Sequence, residues 1–162
     1  MTANELGSLI DRLAGPLSLY ARQWVDSPED IVQEAFLRLV AKPPSEELLV
    51  PWLYRVVRNA AIDSLKMSQR RKQREQKHAQ GRGWFVEQNV EGLDAEVAVN
   101  SLKGLPLEQR EIIVAHLWGG LTFEQIAKLT DSSSSTVHRS YQAGLAELRV
   151  RLEGLCPMKP KS

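Results

Sequence analysis

The stretch that most restricts what this chain can fold into is Leu121 to Leu152, LTFEQIAKLTDSSSSTVHRSYQAGLAELRVRL. Thr122 followed three residues later by Gln125 is a capping-box pair, so a helix starts at Phe123 and runs to about Leu129. Asp131 to Ser134 are turn-forming residues that break the apolar repeat. The repeat resumes in a longer helix, where Val137, Tyr141, Leu145 and Leu148 recur at helical spacing and pack inward. Two helices joined by a tight polar break have the shape of a helix-turn-helix. In that arrangement the first helix crosses a nucleic-acid backbone and the second enters the major groove. Thr136, His138, Arg139 and Gln142, early in the second helix and off its apolar side, then face base edges. A helical hairpin in an ordinary bundle has the same periodicity, so this stretch alone leaves both readings open.

No segment of the 162 residues alternates apolar and polar positions as a half-buried strand does, so the fold expected is all-α. Leu6, Leu9, Ile10 and Leu13 form a first stripe that Gly15-Pro16 should interrupt, with Leu17, Tyr20 and Trp24 continuing in a second short helix. Between Asp26 and Asp30, Ser27 is placed to cap a helix, Pro28 to occupy its first position, and the acidic residues to complement its dipole. That helix runs to about Ala41, before Lys42-Pro43-Pro44, and buries Val32, Ala35, Phe36, Leu39 and Val40. Its other face carries Asp30, Gln33, Glu34, Leu37 and Arg38. A lone leucine among charges is either an ordinary exposed residue or a partner-binding feature. Ser45 is placed to cap a third helix, with Pro51 in an early turn or marking a restart, and the pattern continues to Leu65. Leu49, Leu53, Val56 and Ala60 share one side of it; Arg55, Arg58, Asn59, Ile62, Asp63 and Lys66 share another.

The formal net charge of +1 hides an uneven distribution. From Lys66 to Arg82 the chain carries Lys66, Arg70, Arg71, Lys72, Arg74, Lys77 and Arg82 against Glu75 alone, so the remainder is net acidic. Such a block suits a local polyanion contact beside a second, less basic partner surface; a solvated charge run is the simpler alternative. Periodicity fades from about Met67 to Gly92, first as a helix extension and then as a linker in which Trp84 and Phe85 stand out. The expected organisation is two small helical domains joined by a charged linker: a first domain over 1–68, a basic flexible linker over 69–92, a second domain over 93–153 that contains the helix-turn-helix, and a tail over 154–162. Within the second domain, Asp94 to Lys103 reads as a helix closed by Gly104. Leu107 to Trp118 reads as another, with Ile113, Val114 and Leu117 inward and Gly119-Gly120 ending it.

Several function classes are excluded at this level. Cys156 is the single cysteine, so no intrachain disulfide forms and a reducing cytoplasm fits. The opening MTANELGSLIDRLAG lacks the basic start and apolar core of an export signal, and no apolar run is long enough to insert in a membrane. His78, His116 and His138 stand apart from other metal-ligating residues, so no metal is expected. There is no glycine-rich phosphate loop, and Ser132 to Ser135 lack the strand-turn-helix setting of a nucleophile. The chain is expected to be neither an enzyme nor cofactor-dependent, with no catalytic residues.

Asp26-Ser-Pro-Glu-Asp-Ile-Val-Gln-Glu-Ala-Phe-Leu-Arg-Leu39 resembles the core-polymerase-binding helix of bacterial sigma factors of the extracytoplasmic function (ECF) group. Trp52-Leu-Tyr-Arg-Val-Val-Arg-Asn-Ala-Ala-Ile-Asp-Ser-Leu65, with the basic run after it, resembles the promoter-melting helix of the same domain. Leu105-Pro-Leu-Glu-Gln-Arg-Glu111 and Gly120-Leu-Thr-Phe-Glu-Gln-Ile-Ala127 are similar to the start and the helix-turn-helix of the second sigma domain. The resemblance spans about Leu17 to Leu152 and implies a factor that binds core RNA polymerase and promoter DNA to start transcription. It implies that Asp30, Gln33, Glu34 and Leu37 grip polymerase. It assigns Arg55, Arg58, Asn59, Asp63, Lys66, Arg70 and Arg71 to the minus-ten element, with Trp52 or Tyr54 as a stacking surface, although Trp52 at helical spacing fits a core residue better. Ser135, Thr136, His138, Arg139 and Gln142 would read the minus-thirty-five element. An anti-sigma factor is a further partner the resemblance allows.

The chain departs from the family pattern at Asp131, where glycine is usual, and at Ser132, usually aliphatic. Asp tolerates tight turns, so the motif can survive. The segment before Asp26 is also short for the family's first helix. Two alternatives are a helix-turn-helix regulator that binds DNA alone and a sigma-like adaptor that has lost promoter recognition. The first is disfavoured by charge: Leu121 to Leu152 carries Lys128, Arg139, Arg149 and Arg151 against Glu124, Asp131 and Glu147, too few cations for several phosphate contacts.

Overall fold

The computed structural model describes residues 1–74 and 100–155, and every regular element among them is helical. Helix α1, Ala3–Ala21, is capped reciprocally: the Thr2 hydroxyl accepts the Glu5 N–H at 3.2 Å and the Glu5 carboxylate accepts the Thr2 N–H at 2.7 Å. The expected interruption at Gly15-Pro16 does not occur, because Pro16 lies inside one continuous helix. Proline removes one N–H and crowds the carbonyl four residues back, here that of Arg12. Arg12 is exposed and water can serve its carbonyl, while Leu13, Leu17 and Tyr20 bury the opposite face and hold both sides of the proline in line. Trp24 falls in the turn after the helix.

Helix α2, Glu29–Ala41, ends where the sequence places its end. Its start differs from the expected Ser27 cap: Pro28 is buried with helical angles (φ −82°, ψ −9°), and no side chain caps the first turn. Val32, Ala35, Phe36 and Leu39 are buried as expected, but Val40 is 58% exposed, one residue beyond the inward stripe. A short 3₁₀ turn, Glu46–Leu48, leads into α3, Leu49–Arg74, which accommodates Pro51 in its first turn. The Ser45 side chain makes no capping bond. The inward side of α3 is centred on Leu53, Val57 and Ala61, with Tyr54 beside them, and Leu49, Val56 and Ala60 are only partly covered.

The linker beyond Arg74, with Trp84 and Phe85, lies outside the described residues, as does most of the helix expected from Asp94; residues 100–102 are helical. Helix α4, Leu107–Ile113, passes directly into a π-turn, Val114–Trp118, closed by the Gly119 N–H on the Val114 carbonyl at 3.2 Å. The extra residue in that wide turn rotates the chain, so Leu117, expected inward, is 52% exposed. Helices α5, Phe123–Thr130, and α6, Ser134–Leu155, complete the helix-turn-helix. The buried residues of both halves form one continuous apolar core, from Leu17, Tyr20, Leu39 and Leu53 through Tyr54 to Ile113, Val114, Ile126 and Val137.

Candidate functional site

The turn between α5 and α6 forms despite its unusual residues. Thr122 and Gln125 make the expected capping box, at 3.1 and 2.9 Å. Asp131 sits in the left-handed region (φ 54°, ψ 48°), which an Asp reaches more readily than most side chains. The next N–H, from Ser132, closes the helix end on the Ala127 carbonyl at 2.9 Å. The Ser133 hydroxyl then accepts the Thr136 N–H at 3.1 Å, a side-chain cap on α6. Ser132 is exposed and bonds Thr130, so no apolar contact is required at that position.

Helix α6 is thereby seated with Val137, Tyr141 and Leu148 buried and Ser135, His138, Arg139 and Gln142 exposed on its outer side. Thr136 is half-buried against Ser133. Ring contacts fix this register: Phe123 lies 4.5 Å from His116, 5.0 Å from Tyr141 and 5.2 Å from His138, measured between centroids. His116 also bonds the Leu121 carbonyl through Nδ1 at 2.8 Å. Gly144 lets α6 approach α4, since a Cβ there would come within 2.8 Å of Ile113.

A second surface lies on α2. Asp30, Gln33, Glu34 and Leu37 are all exposed and share one stripe, and Leu37 shows 59% of its surface. The exposed Val40 lies three residues on from Leu37, so the polar face contains an apolar pair where the sequence suggested one leucine. Among the described residues Glu34 is engaged only with Arg38 on the same helix, at 3.3 Å.

The third surface, on α3, divides. Asn59, Asp63, Lys66, Arg70 and Arg71 are exposed. Tyr54 is fully buried, its ring 4.9 Å from that of Tyr20, so it offers no stacking face in this arrangement, whereas Trp52 is partly buried against the core. Arg58 turns towards the second half of the molecule: its guanidinium lies 5.9 Å from the Trp24 ring centroid and pairs with the Glu111 carboxylate. The same carboxylate accepts the Tyr20 hydroxyl at 2.8 Å. Burial by itself lowers the Arg58 pKa, but the hydrogen bond and charge of Glu111 outweigh it and hold the group above its ordinary value. Burial, followed by the charge of Glu111, pushes the Tyr20 phenol well above its ordinary value.

Around this seat, Arg110 donates to the Gln23 side chain at 3.0 Å, and Arg55 to the Lys128 carbonyl at 3.3 Å. Gly119 packs on Tyr54 so closely that a Cβ would fall 2.4 Å from the phenol oxygen. Glu111 is thus a buried anion that sequence reasoning missed. Its only signal is an acid at a position where Ile112 and Ile113 set an inward phase. Among the described residues no cluster of His, Cys, Asp and Glu is placed to hold a metal ion, and no helix is long and apolar enough to cross a membrane.

Comparison with known proteins bears on both halves. The family model described as Sigma-70 region 2 matches residues 9–71, and the one described as Sigma-70, region 4 matches residues 97–148. No curated protein matches the sequence. Among solved structures, the sigma factor RpoE from Bartonella quintana, crystallised with the anti-sigma factor NepR, superposes with a TM-score of 0.69 at 21% identity, covering 90% of this chain and 97% of that one. At that identity the likeness speaks for the fold.

Proposed function

The chain belongs to the sigma-70 family, and we infer that it works as an ECF-type sigma factor: region 4 follows region 2 after only residues 72–96, too few for another helical domain between them. It binds core RNA polymerase and directs promoter recognition and transcription initiation. The observation that carries the reading is the pair of family matches in this order, each over a half whose expected binding face includes an exposed stripe.

On this reading residues 1–68 bind polymerase and the minus-ten element, 69–92 link, and 93–153 bind the minus-thirty-five element. Asp30, Gln33, Glu34 and Leu37 are the polymerase contact, supported by the exposed Leu37 and Val40 within a polar stripe, which is how an apolar anchor with a polar rim is built. Asn59, Asp63, Lys66, Arg70 and Arg71, with Arg55 and Arg58, meet the minus-ten element, where cations track phosphates and polar groups read an exposed base. Ser135, Thr136, His138, Arg139 and Gln142 read the minus-thirty-five element from α6, as the early residues of a recognition helix do. The factor contributes binding and selection, with no chemistry of its own. It acts in the cytoplasm, where the template is. An anti-sigma partner, such as the Bartonella relative was crystallised with, is part of the proposal.

Run-off transcription on fragmented genomic DNA tests this reading. Core polymerase plus the chain should start at a defined set of sites that core alone does not use. Arg139→Ala with Gln142→Ala should lose that selection while still binding core. Failure of the chain to associate with core polymerase would sink the reading.

A further inference from the structure

The α6 side chains assigned above to the minus-thirty-five element are not held alike. Asp131 to Ser135 are all exposed, so α6 sends nothing into the core before Val137. Among the described residues, the Ser135 and Arg139 side chains make no hydrogen bond, ion pair or ring contact, and the Thr136 hydroxyl meets only Ser133. The Gln142 amide meets only the His138 ring, at 3.5 Å. His138 alone of this set touches another helix there: its ring lies 5.2 Å from that of Phe123 on α5, edge to face at 82°. Phe123 is itself held. His116 in the π-turn stacks on it at 4.5 Å with the planes 21° apart, and Tyr141 meets both rings, at 5.0 and 4.9 Å. The His116 Nδ1–H donates to the Leu121 carbonyl, which keeps the imidazole from turning, and the Leu121 N–H donates to the Ala115 carbonyl at 3.1 Å.

We propose that Phe123 is a positioning residue for promoter selection: its ring, backed by His116, holds the His138 imidazole in the direction from which it reads one base pair of the minus-thirty-five element. The inference rests on the sigma reading above. Direction decides what an imidazole can read, because its donor and acceptor lie in the ring plane and a base edge presents a fixed pattern. An exposed histidine turns about two side-chain bonds and loses that freedom when DNA binds; a ring already held loses less. Phosphate contacts carry no sequence information and tolerate a mobile cation. Removing the ring should therefore blur selection at one position and leave the rest of the affinity in place. Ser132 makes the ring contact matter more in this chain. Where an aliphatic side chain is usual there is an exposed hydroxyl, so the start of α6 has no apolar anchor at that position and the Phe123 cluster ties its reading face to α5.

Competition binding of core polymerase carrying the full chain, on promoters with each minus-thirty-five base pair changed in turn, tests the role. His138→Ala marks the pair that His138 reads, as the position where discrimination disappears. Phe123→Leu should lower discrimination at that same pair by about fivefold, the scale of ordering one freed side chain. The other pairs and the salt dependence of binding should stay as in the wild type. Phe123→Tyr, which keeps the ring, should keep the profile, and adding Phe123→Leu to His138→Ala should cost nothing further. Should Phe123→Leu lower helicity by circular dichroism, His116→Asn decides: its amide can keep the Leu121 bond while the stacked ring is lost, and it should blur the same pair to a smaller degree. A loss spread evenly over all base pairs would make Phe123 a support of the fold only and overturn the inference. So would an unchanged profile, or a His138→Ala chain that still discriminates at every pair. Wild-type selection with an unchanged Phe123→Leu profile fails this inference alone, whereas a wild type that selects no promoter fails the sigma reading and the inference with it.

Discussion

The outer face of α2 and the basic face of α3 belong to the same half of the molecule, and both read in the sequence as binding surfaces. Among the described residues of the folded chain one is vacant and the other is partly taken. There Asp30, Gln33, Glu34 and Leu37 make no hydrogen bond or ion pair to another helix's side chains, whereas Arg58 and Arg55 are engaged by the second half of the molecule. The difference teaches that periodicity reports which side of a helix turns from its own core but is silent about what a distant segment brings to it. Among the described residues a partner on the α2 face would displace no contact with another helix, whereas one that used Arg58 or Arg55 would compete with Glu111 or the Lys128 carbonyl.

The largest effect should come from the vacant face. Leu37→Glu is expected to weaken binding to core polymerase by about 100-fold, in the range of a central apolar anchor. Its melting temperature should hardly change, because the side chain is already mostly in water; a binding titration beside a thermal melt separates the two. A Leu37→Glu chain that binds normally would break the comparison at its first term.

Arg58→Ala should behave in the opposite sense. Leaving Glu111 buried with one partner fewer is expected to cost about 1–3 kcal/mol in chemical denaturation, below the full penalty of a wholly buried pair because Arg58 keeps 23% of its side-chain surface. Alkaline pH should reach the same region. Burial raises the phenol pKa of both Tyr20 and Tyr54, so in the folded chain they keep their protons where an unfolded chain loses them, at about pH 10. Their contribution is complete below that pH, and stability should fall as pH rises beyond it, which thermal melts across a pH series would detect. The smallest effect is expected from Arg38→Ala on α2. Its pair with Glu34 is exposed on both sides, so the change in stability should stay within about 0.5 kcal/mol.

Much of this was legible beforehand for a definite reason. The Thr122 to Gln125 cap, the end of α2 at Ala41 and the inward run Val137, Tyr141, Leu148 are set by bonds and spacings within a few residues, which the sequence displays directly. Departures arise where something non-local or cumulative decides. Pro16 stays helical because packing on both sides outweighs one missing bond. Leu117 turns out because a π-turn shifts the phase by a residue, and no residue type announces that. Glu111 gains its meaning from Tyr20 and Arg58, which lie far off in the chain. The site residues follow the same rule: exposure on α2 and α6 could be read from spacing, but the capture of Arg58 could not.

The unbroken core that runs from Leu17 through Tyr54 to Val137 has a thermodynamic consequence. Two family segments that sequence comparison treats as separate modules share one set of buried contacts, so in the free chain they should melt as a single cooperative unit, with calorimetric and van't Hoff enthalpies in agreement. Slow amide exchange in α1 should then track that in α4, and a cavity cut into either half would loosen both. The modularity of the sequence would become visible only when the chain is bound and each half has found a different neighbour.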